Sequence, residues 1–259
     1  MTLIHSFILG LIEGLTEFLP ISSTAHLIIA SKLLGIAKSD FLDSFLISIQ
    51  LGAILSVAVL YAQKLIKEPR LILKIAAAFI PTAVIGLAAY KLVKNYLMES
   101  LPLIAGALLI GGIILIVLEK YFARRQNKET EQDLERISYR QAACIGIFQS
   151  LAIIPGVSRS AATIMGGLSL GVSRKNIVEF SFLLALPTMA AATALDLYKT
   201  PPVLQGNDLL IWLLGLATAF ITAVAGIKFF LKFIQKNDFQ IFGWYRIFLG
   251  IMLFTFLLL

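Results

Sequence analysis

The sequence of 259 residues predicts an all-α integral membrane protein: about six transmembrane helices plus two re-entrant helical hairpins, arranged as an inverted-topology internal repeat. Three observations lead there. The chain is 59% hydrophobic and 14% charged, with a mean hydropathy of +0.90, too apolar to be shielded from water in one soluble core. A gapless shift of 136 positions lays Gly10 on Gly146, Glu13 on Gln149, Ser22 on Ser158, Thr24 on Ser160, Gly35 on Gly171 and Asp43 on Glu179, which marks a duplication. Each copy carries a polar cluster inside apolar sequence, where an ionisable group costs roughly 2.5–3.5 kcal/mol to insert.

The first apolar stretch, residues 2–34, is split by Leu19-Pro20-Ile21-Ser22-Ser23-Thr24. Proline removes an amide donor and biases its predecessor away from helix, so the stretch reads as two short helices joined by a turn. Each piece falls below the ~20 residues that cross a ~30 Å hydrocarbon layer, which predicts a hairpin entering and leaving on one side. Apolar spans follow at 41–62, 71–94 and 101–122. Residues 124–136, of mixed charge, form the expected cytoplasmic linker. Residues 138–171 repeat the hairpin, split at Ile154-Pro155-Gly156-Val157-Ser158, and spans follow at 175–198, 208–234 and 241–258. The division is therefore 1–123 for the first repeat and 137–259 for the second, within one membrane domain. Three crossings per repeat invert the second copy, the plan associated with broken helices meeting near the bilayer midplane.

Lys and Arg then set the orientation. One face carries Lys64, Lys67, Arg70, Lys74, Lys120, Arg124, Arg125, Lys128, Arg136, Arg140, Arg174, Lys175, Lys228, Lys232, Lys236 and Arg246, against Lys32, Lys38, Lys91, Lys94 and Lys199 on the other. The rich face is cytoplasmic, so both termini and the mouth of the first hairpin face outward. The net charge of +7 is thus an orientation signal with an attraction to anionic membrane lipids, and no nucleic acid is implied. The N-terminus lacks a basic region and a small-residue cleavage site, so no removable signal peptide is expected. Cys144, alone and in apolar surroundings, reads as a buried structural thiol.

In the first cluster Glu13 and Glu17 lie four apart, on one helical face. Pairing with a basic side chain is the plain reading. Two hard oxygen donors also suit a divalent cation, Mg²⁺ or Ca²⁺, whose other ligands are water and phosphate. Ser22, Ser23 and Thr24 open the second short helix, where free amides and the helix dipole favour an anion. Capping explains one hydroxyl, but not three in a row. His26 follows Ser23 by three residues, on the same face and within expected reach for proton transfer. The second cluster has Gln149, Ala162 and Arg159 where the first has Glu13, His26 and Ser23. Arg159, between Ser158 and Ser160 with Thr163 one turn on, supplies a guanidinium suited to bidentate phosphate binding. If the hairpins meet tip to tip, Arg159 faces the serines of the first cluster and pairs with Glu13 or Glu17 when no anion is bound. Asp43, Glu119, Glu179 and Asp196 read as interfacial or helix-bonding groups. Gln50 lies deeper and could line the site.

At these residues the chain resembles the undecaprenyl-diphosphatases, also called bacitracin-resistance proteins. The acidic motif is Glu13-Gly14-Leu15-Thr16-Glu17-Phe18-Leu19-Pro20, running into Ile21-Ser22-Ser23-Thr24-Ala25-His26; the second is Pro155-Gly156-Val157-Ser158-Arg159-Ser160-Ala161-Ala162-Thr163. Ala25 and Ala161 stand where members often carry Gly, a modest change in backbone freedom. The resemblance covers essentially the whole chain. It implies hydrolysis of undecaprenyl diphosphate to the monophosphate and inorganic phosphate, recycling the lipid carrier for cell-wall polymers in the bacterial cytoplasmic (inner) membrane.

Mapped onto that reaction, Ser23 is the expected nucleophile, with Ser22 and Thr24 as competitors, and His26 the general base and later acid. Arg159 is the third catalytic residue. Ser22, Thr24, Ser158, Ser160 and Thr163 are expected to bind the substrate, while Glu13 and Glu17 hold the cation. Partners are the polyprenyl diphosphate and membrane lipids, with a homodimer as an open assembly. The competing reading is a transporter or flippase of a polyprenyl phosphate lipid, because inverted repeats and broken helices around an anion site serve transport too. Carrying an anion requires no adjacent nucleophile and base, so Ser23 and His26 favour an enzyme. A purely structural membrane protein leaves the polar tips unexplained.

Overall fold

The computed structural model describes residues 1–92, 100–123, 134–199, 201 and 205–258. Among them are ten α-helices and no strand: α1 (Leu3–Thr16), α2 (Ser23–Leu33), α3 (Asp40–Lys67), α4 (Pro69–Leu92), α5 (Leu101–Ala123), α6 (Tyr139–Ser150), α7 (Arg159–Ser169), α8 (Arg174–Lys199), α9 (Asp208–Ile234) and α10 (Gln240–Leu258). Single 3-10 turns stand at Leu134–Arg136 and Leu151–Ile153. Helices α3, α4, α5, α8 and α9 are each long and apolar enough to cross a membrane. Helix α10, at 19 residues, is shorter and equally apolar. The chain is a multi-pass membrane protein. Most of the 124–136 linker lies outside the described residues, as do Lys94, Arg124, Arg125 and Lys128. Its last turn, Leu134–Arg136, is held where Lys74 Nζ donates to the Glu135 carbonyl.

Local chemistry sets the helix ends. Thr2 caps α1 by accepting from the His5 amide at 3.2 Å. Ser39 caps α3, whose first turn carries Asp40 and Asp43 and whose last carries Lys64 and Lys67, all favourable to the helix dipole. Ser138 and Gln141 form a reciprocal capping box on α6. Helices α2 and α7 end alike, with Gly35 at φ 64° and Gly171 at φ 79°. In both, an amide closes a 6→1 bond at 3.0 Å, Ile36 to Ser31 and Val172 to Gly167.

Packing follows the duplication. Helix α1 lies against α9 as α6 lies against α4, and α3 against α9 as α8 against α4. The pairs α3 with α8 and α5 with α10 map onto themselves under the shift. Small residues allow the close crossings: a Cβ at Gly10 would fall 2.6 Å from the Gly215 carbonyl oxygen, and the Ala78 carbonyl blocks one at Gly146 in the same way. The principal core joins both halves around Phe180, Phe182, Phe230 and Phe239. Phe18, from the first hairpin tip, inserts edge-on against Phe182, with centroids 5.2 Å apart. The expected helix-bonding carboxylates are paired, Glu179 with Lys64 at 3.1 Å and Glu119 with Arg174.

Two residues stand elsewhere than expected. Cys144 is half-buried, because it shares the outward row of α6 with exposed Arg140 and Ile147. Arg246, counted with the basic face, is wholly buried inside the bundle.

Candidate active site

The two hairpin tips meet. Pro20 stops α1 from continuing, and the chain turns through Ile21, whose amide bonds the Leu19 carbonyl at 2.8 Å, into Ser22 at the N-cap of α2. Ser22 takes φ 71° and Ser158, its counterpart at the N-cap of α7, takes φ 72°; among the described residues they are the sole non-glycines with positive φ. Such a backbone costs a β-carbon residue on the order of 1–3 kcal/mol. Each serine also accepts from the amide three residues on, Ala25 at 3.4 Å and Ala161 at 3.2 Å. The outcome is two helix N-termini aimed at one place, each a positive dipole end with unpaired amides.

Between them lies a cavity of about 170 Å³ lined by Glu17, Ser22, Ser23, Thr24, Gln50, Ala152, Pro155, Gly156, Ser158, Arg159 and Met189. Ser23 Oγ donates to Glu17 Oε2 at 2.5 Å. Arg159 Nη2 donates to Glu17 Oε1 at 2.8 Å, while Nη1 reaches the Ser181 carbonyl at 2.8 Å and its hydroxyl at 3.3 Å. A hydroxyl, a carboxylate and a guanidinium thus form one chain across the junction of the hairpins. The Arg159 guanidinium also sits 5.7 Å from the centre of the Phe18 ring, which fixes its plane. Gln50 of α3 reaches the cavity wall.

Other expected site residues are placed differently. Ser160 is fully buried and donates to the Phe18 carbonyl at 2.9 Å, tying the tips together instead of facing the cavity. Thr163, also buried, shares its proton between the Arg159 carbonyl at 2.9 Å and Gln149 Oε1 at 3.0 Å. Both follow from helix geometry: of the first turn of α7, Ser158 and Arg159 face the cavity, while Ser160 and Thr163 turn into the packing around it. His26 is not among the cavity-lining residues. Its Nδ1 lies 2.8 Å from the Ser22 carbonyl and its Nε2 2.7 Å from Tyr245 Oη, with the two rings stacked 5.6 Å apart. The hydroxyl of Ser23 therefore meets Glu17, and the imidazole braces the turn from behind.

Glu13 lies beneath the cavity, wholly buried, with both carboxylate oxygens lacking a hydrogen-bond partner. Its counterpart Gln149 is satisfied by Thr163 and by Thr82 Oγ1 at 3.3 Å. An unpaired buried carboxylate is costly as an anion, so Glu13 fits a cation. Among the described residues no group of three or more His, Cys, Asp or Glu forms a metal cluster; Glu13 and Glu17 are the two acidic side chains at this place.

Arg246 escaped the sequence reading. Its Nη1 donates to the carbonyls of Pro20 at 3.2 Å and Val157 at 3.0 Å, and its Nη2 to those of Ala107 at 3.1 Å and Gly156 at 3.0 Å. One guanidinium thereby clamps both hairpin turns to α5. The signal was present: an arginine at the seventh residue of an apolar helix is a functional residue by default.

A family model described as bacitracin resistance protein BacA matches residues 6–252. Among similar curated proteins, the undecaprenyl-diphosphatase of Aquifex aeolicus is 46% identical over 258 residues, covering 100% of both chains. That of Campylobacter jejuni is 52% identical over 252 residues, 97% of this chain and 93% of the relative. That of Wolinella succinogenes is 49% identical over 257 residues, 99% of each.

Proposed function

The chain belongs to the bacitracin resistance protein BacA family, and on that premise we propose how its tip-to-tip site acts on undecaprenyl diphosphate. The protein is an undecaprenyl-diphosphatase: it hydrolyses the lipid diphosphate to undecaprenyl phosphate and inorganic phosphate and so recycles the carrier. The observation that supports a specific route is the chain Ser23–Glu17–Arg159 beside two converging helix N-termini.

In that route Ser23 Oγ attacks the terminal phosphorus and passes its proton to Glu17 Oε2, with which it is already bonded. The bond from phosphorus to the bridging oxygen breaks, undecaprenyl phosphate leaves, and a phosphoseryl group remains until water cleaves it. Arg159 moves its Nη2 from Glu17 to the phosphoryl oxygens, which frees that carboxylate to act as base. Ser22, Ser158 and the open amides of α2 and α7 hold the remaining oxygens. His26, whose nitrogens are engaged by Ser22 and Tyr245, keeps the Ser22 turn in shape. It acts as acid or base toward the reacting groups only after releasing Tyr245.

Glu13, with the Glu17 oxygen that Arg159 leaves, is the pair that would hold Mg²⁺ or Ca²⁺, the other Glu17 oxygen staying with Ser23. When bound, the cation would neutralise part of the diphosphate charge and favour departure of the lipid phosphate. The excess of Lys and Arg near one set of helix ends supports placement in the bacterial cytoplasmic (inner) membrane with the cavity opening to the outer face.

The test is phosphate release by purified protein in detergent with divalent metal. Ser23→Ala is expected to lower kcat by at least about 100-fold, and Glu17→Gln by roughly 10²–10⁴-fold, while Ser22→Ala and Thr24→Ala retain more activity. Mass spectrometry of rapidly quenched enzyme should find phosphate on Ser23. Full turnover by Ser23→Ala, or phosphate trapped on Thr24, would reject this nucleophile.

A further inference from the structure

The correspondence between the two copies breaks down at the helices α2 and α7. Helix α7 runs beside α5 and α8 as well as α6, and every residue from Ser160 to Leu168 is buried. Its copy α2 runs closely beside α1 and meets α5 and α10 only through small or partly buried side chains such as Ala25, Ile28 and Ile29, and only Ser23, Ala25, Leu27 and Ser31 are buried. Where the second copy packs the Phe148 ring directly over Gly166, the equivalent pair in the first copy is Ile12 and Ala30. The gap left there is a groove of about 270 Å³ between α1, α2 and α10, walled almost entirely by apolar side chains such as Leu11, Leu15, Ile29 and Leu249.

This groove starts at the active site. His26 forms part of its wall, and the same ring is bonded to the carbonyl of Ser22, which lines the polar cavity. The polar and apolar spaces therefore lie on either side of a single turn of α2. A diphosphate seated at Ser23 carries its chain away from the two polar helix N-termini, and this apolar opening lies against the helix that bears Ser23. Its presence in the copy that bears the nucleophile, and its closure by Phe148 in the other, is what a chain-binding site requires and what lipid-facing packing alone would not distinguish.

Resting on the diphosphatase reading above, we propose that the α1–α2–α10 groove binds the first isoprene units of the polyprenyl substrate. Binding there draws energy from a part of the substrate remote from the reacting phosphorus, so it selects for long-chain lipids over short diphosphates.

The test uses Ile12→Phe, which copies the residue that fills the second repeat, and Ala30→Phe. Each is assayed with a long polyprenyl diphosphate and with methyl diphosphate, which carries no isoprene unit. KM for the long substrate should rise roughly tenfold, with kcat/KM for the short one unchanged. Equal effects on both substrates in a folded variant, or no effect on either, would overturn the proposal. Independently, a polyprenyl diphosphate with a photoreactive group on its second isoprene unit should label wild-type peptides containing Leu11–Leu15 or Ile29–Leu33. Labelling confined to other helices would overturn it even if the variants failed to fold. Labelling does not depend on turnover, so a wild-type protein that bound the probe in the groove but released no phosphate would sink the diphosphatase reading and leave the groove standing.

Discussion

Glu13 and Gln149 occupy the same position in two copies of one hairpin, and their surroundings explain why one is an acid and the other an amide. Around Gln149 the hydroxyls of Thr163 and Thr82 supply a donor and an acceptor. Around Glu13 the position of Thr163 is held by Leu27, and the Thr218 hydroxyl, in the position of Thr82, donates to Leu214 instead. The carboxylate is left buried with two unused oxygens. Such a residue works against stability in the empty protein, which makes sense if it is retained for a ligand. Glu13→Gln is accordingly expected to melt no lower than the wild type in metal-free detergent, and to need far more Mg²⁺ or Ca²⁺ for half-maximal phosphate release. Thermal scans with and without metal check the first half and metal titrations the second; a variant with lower stability and unchanged metal dependence would assign Glu13 a structural role.

Among the elements, the hairpin turns depend on α10. Pro20, Gly156 and Val157 direct their carbonyls at Arg246, and Ala107 of α5 does the same. Lysine keeps the charge but loses the planar fork that reaches four carbonyls at once. Arg246→Lys should therefore destabilise by about 2–3 kcal/mol through orphaned buried carbonyls. Because the turns position Ser23 and Arg159, kcat should fall more than KM rises. A Lys variant with wild-type kcat would show that the turns hold themselves. Helix spans were legible in the sequence to within a few residues, since length and hydropathy decide them, and so were the breaks at Pro20 and Pro155. The meeting of Arg159 with a carboxylate was legible as well, from the pairing of motifs. What stayed hidden depends on side-chain direction and distant partners. Ser160 and Thr163 sit in the same motif as Arg159 yet turn inward, and His26 is claimed by Tyr245 from the last helix. Arg246 looked like an end charge because counting by face ignores depth.

For the whole molecule, the swap of partners is the deciding feature: each first-half helix packs against second-half helices, so neither half holds a complete site or a complete core. Ser23 and Glu17 come from one half, Arg159 and Ser181 from the other. If three crossings separate the hairpins, equivalent positions at the far ends of α2 and α7 stand on opposite faces of the membrane. Leu33 and Ser169 are such a pair, and both are exposed. In a background in which Cys144 is replaced by Ala, Leu33→Cys should react with a membrane-impermeant maleimide added outside intact cells. Ser169→Cys should react only after the membrane is opened. Labelling of both from one side would mean that the halves run parallel, and the two helix N-termini at Ser22 and Ser158 would then have to approach the phosphate from the same face instead of from opposite ones.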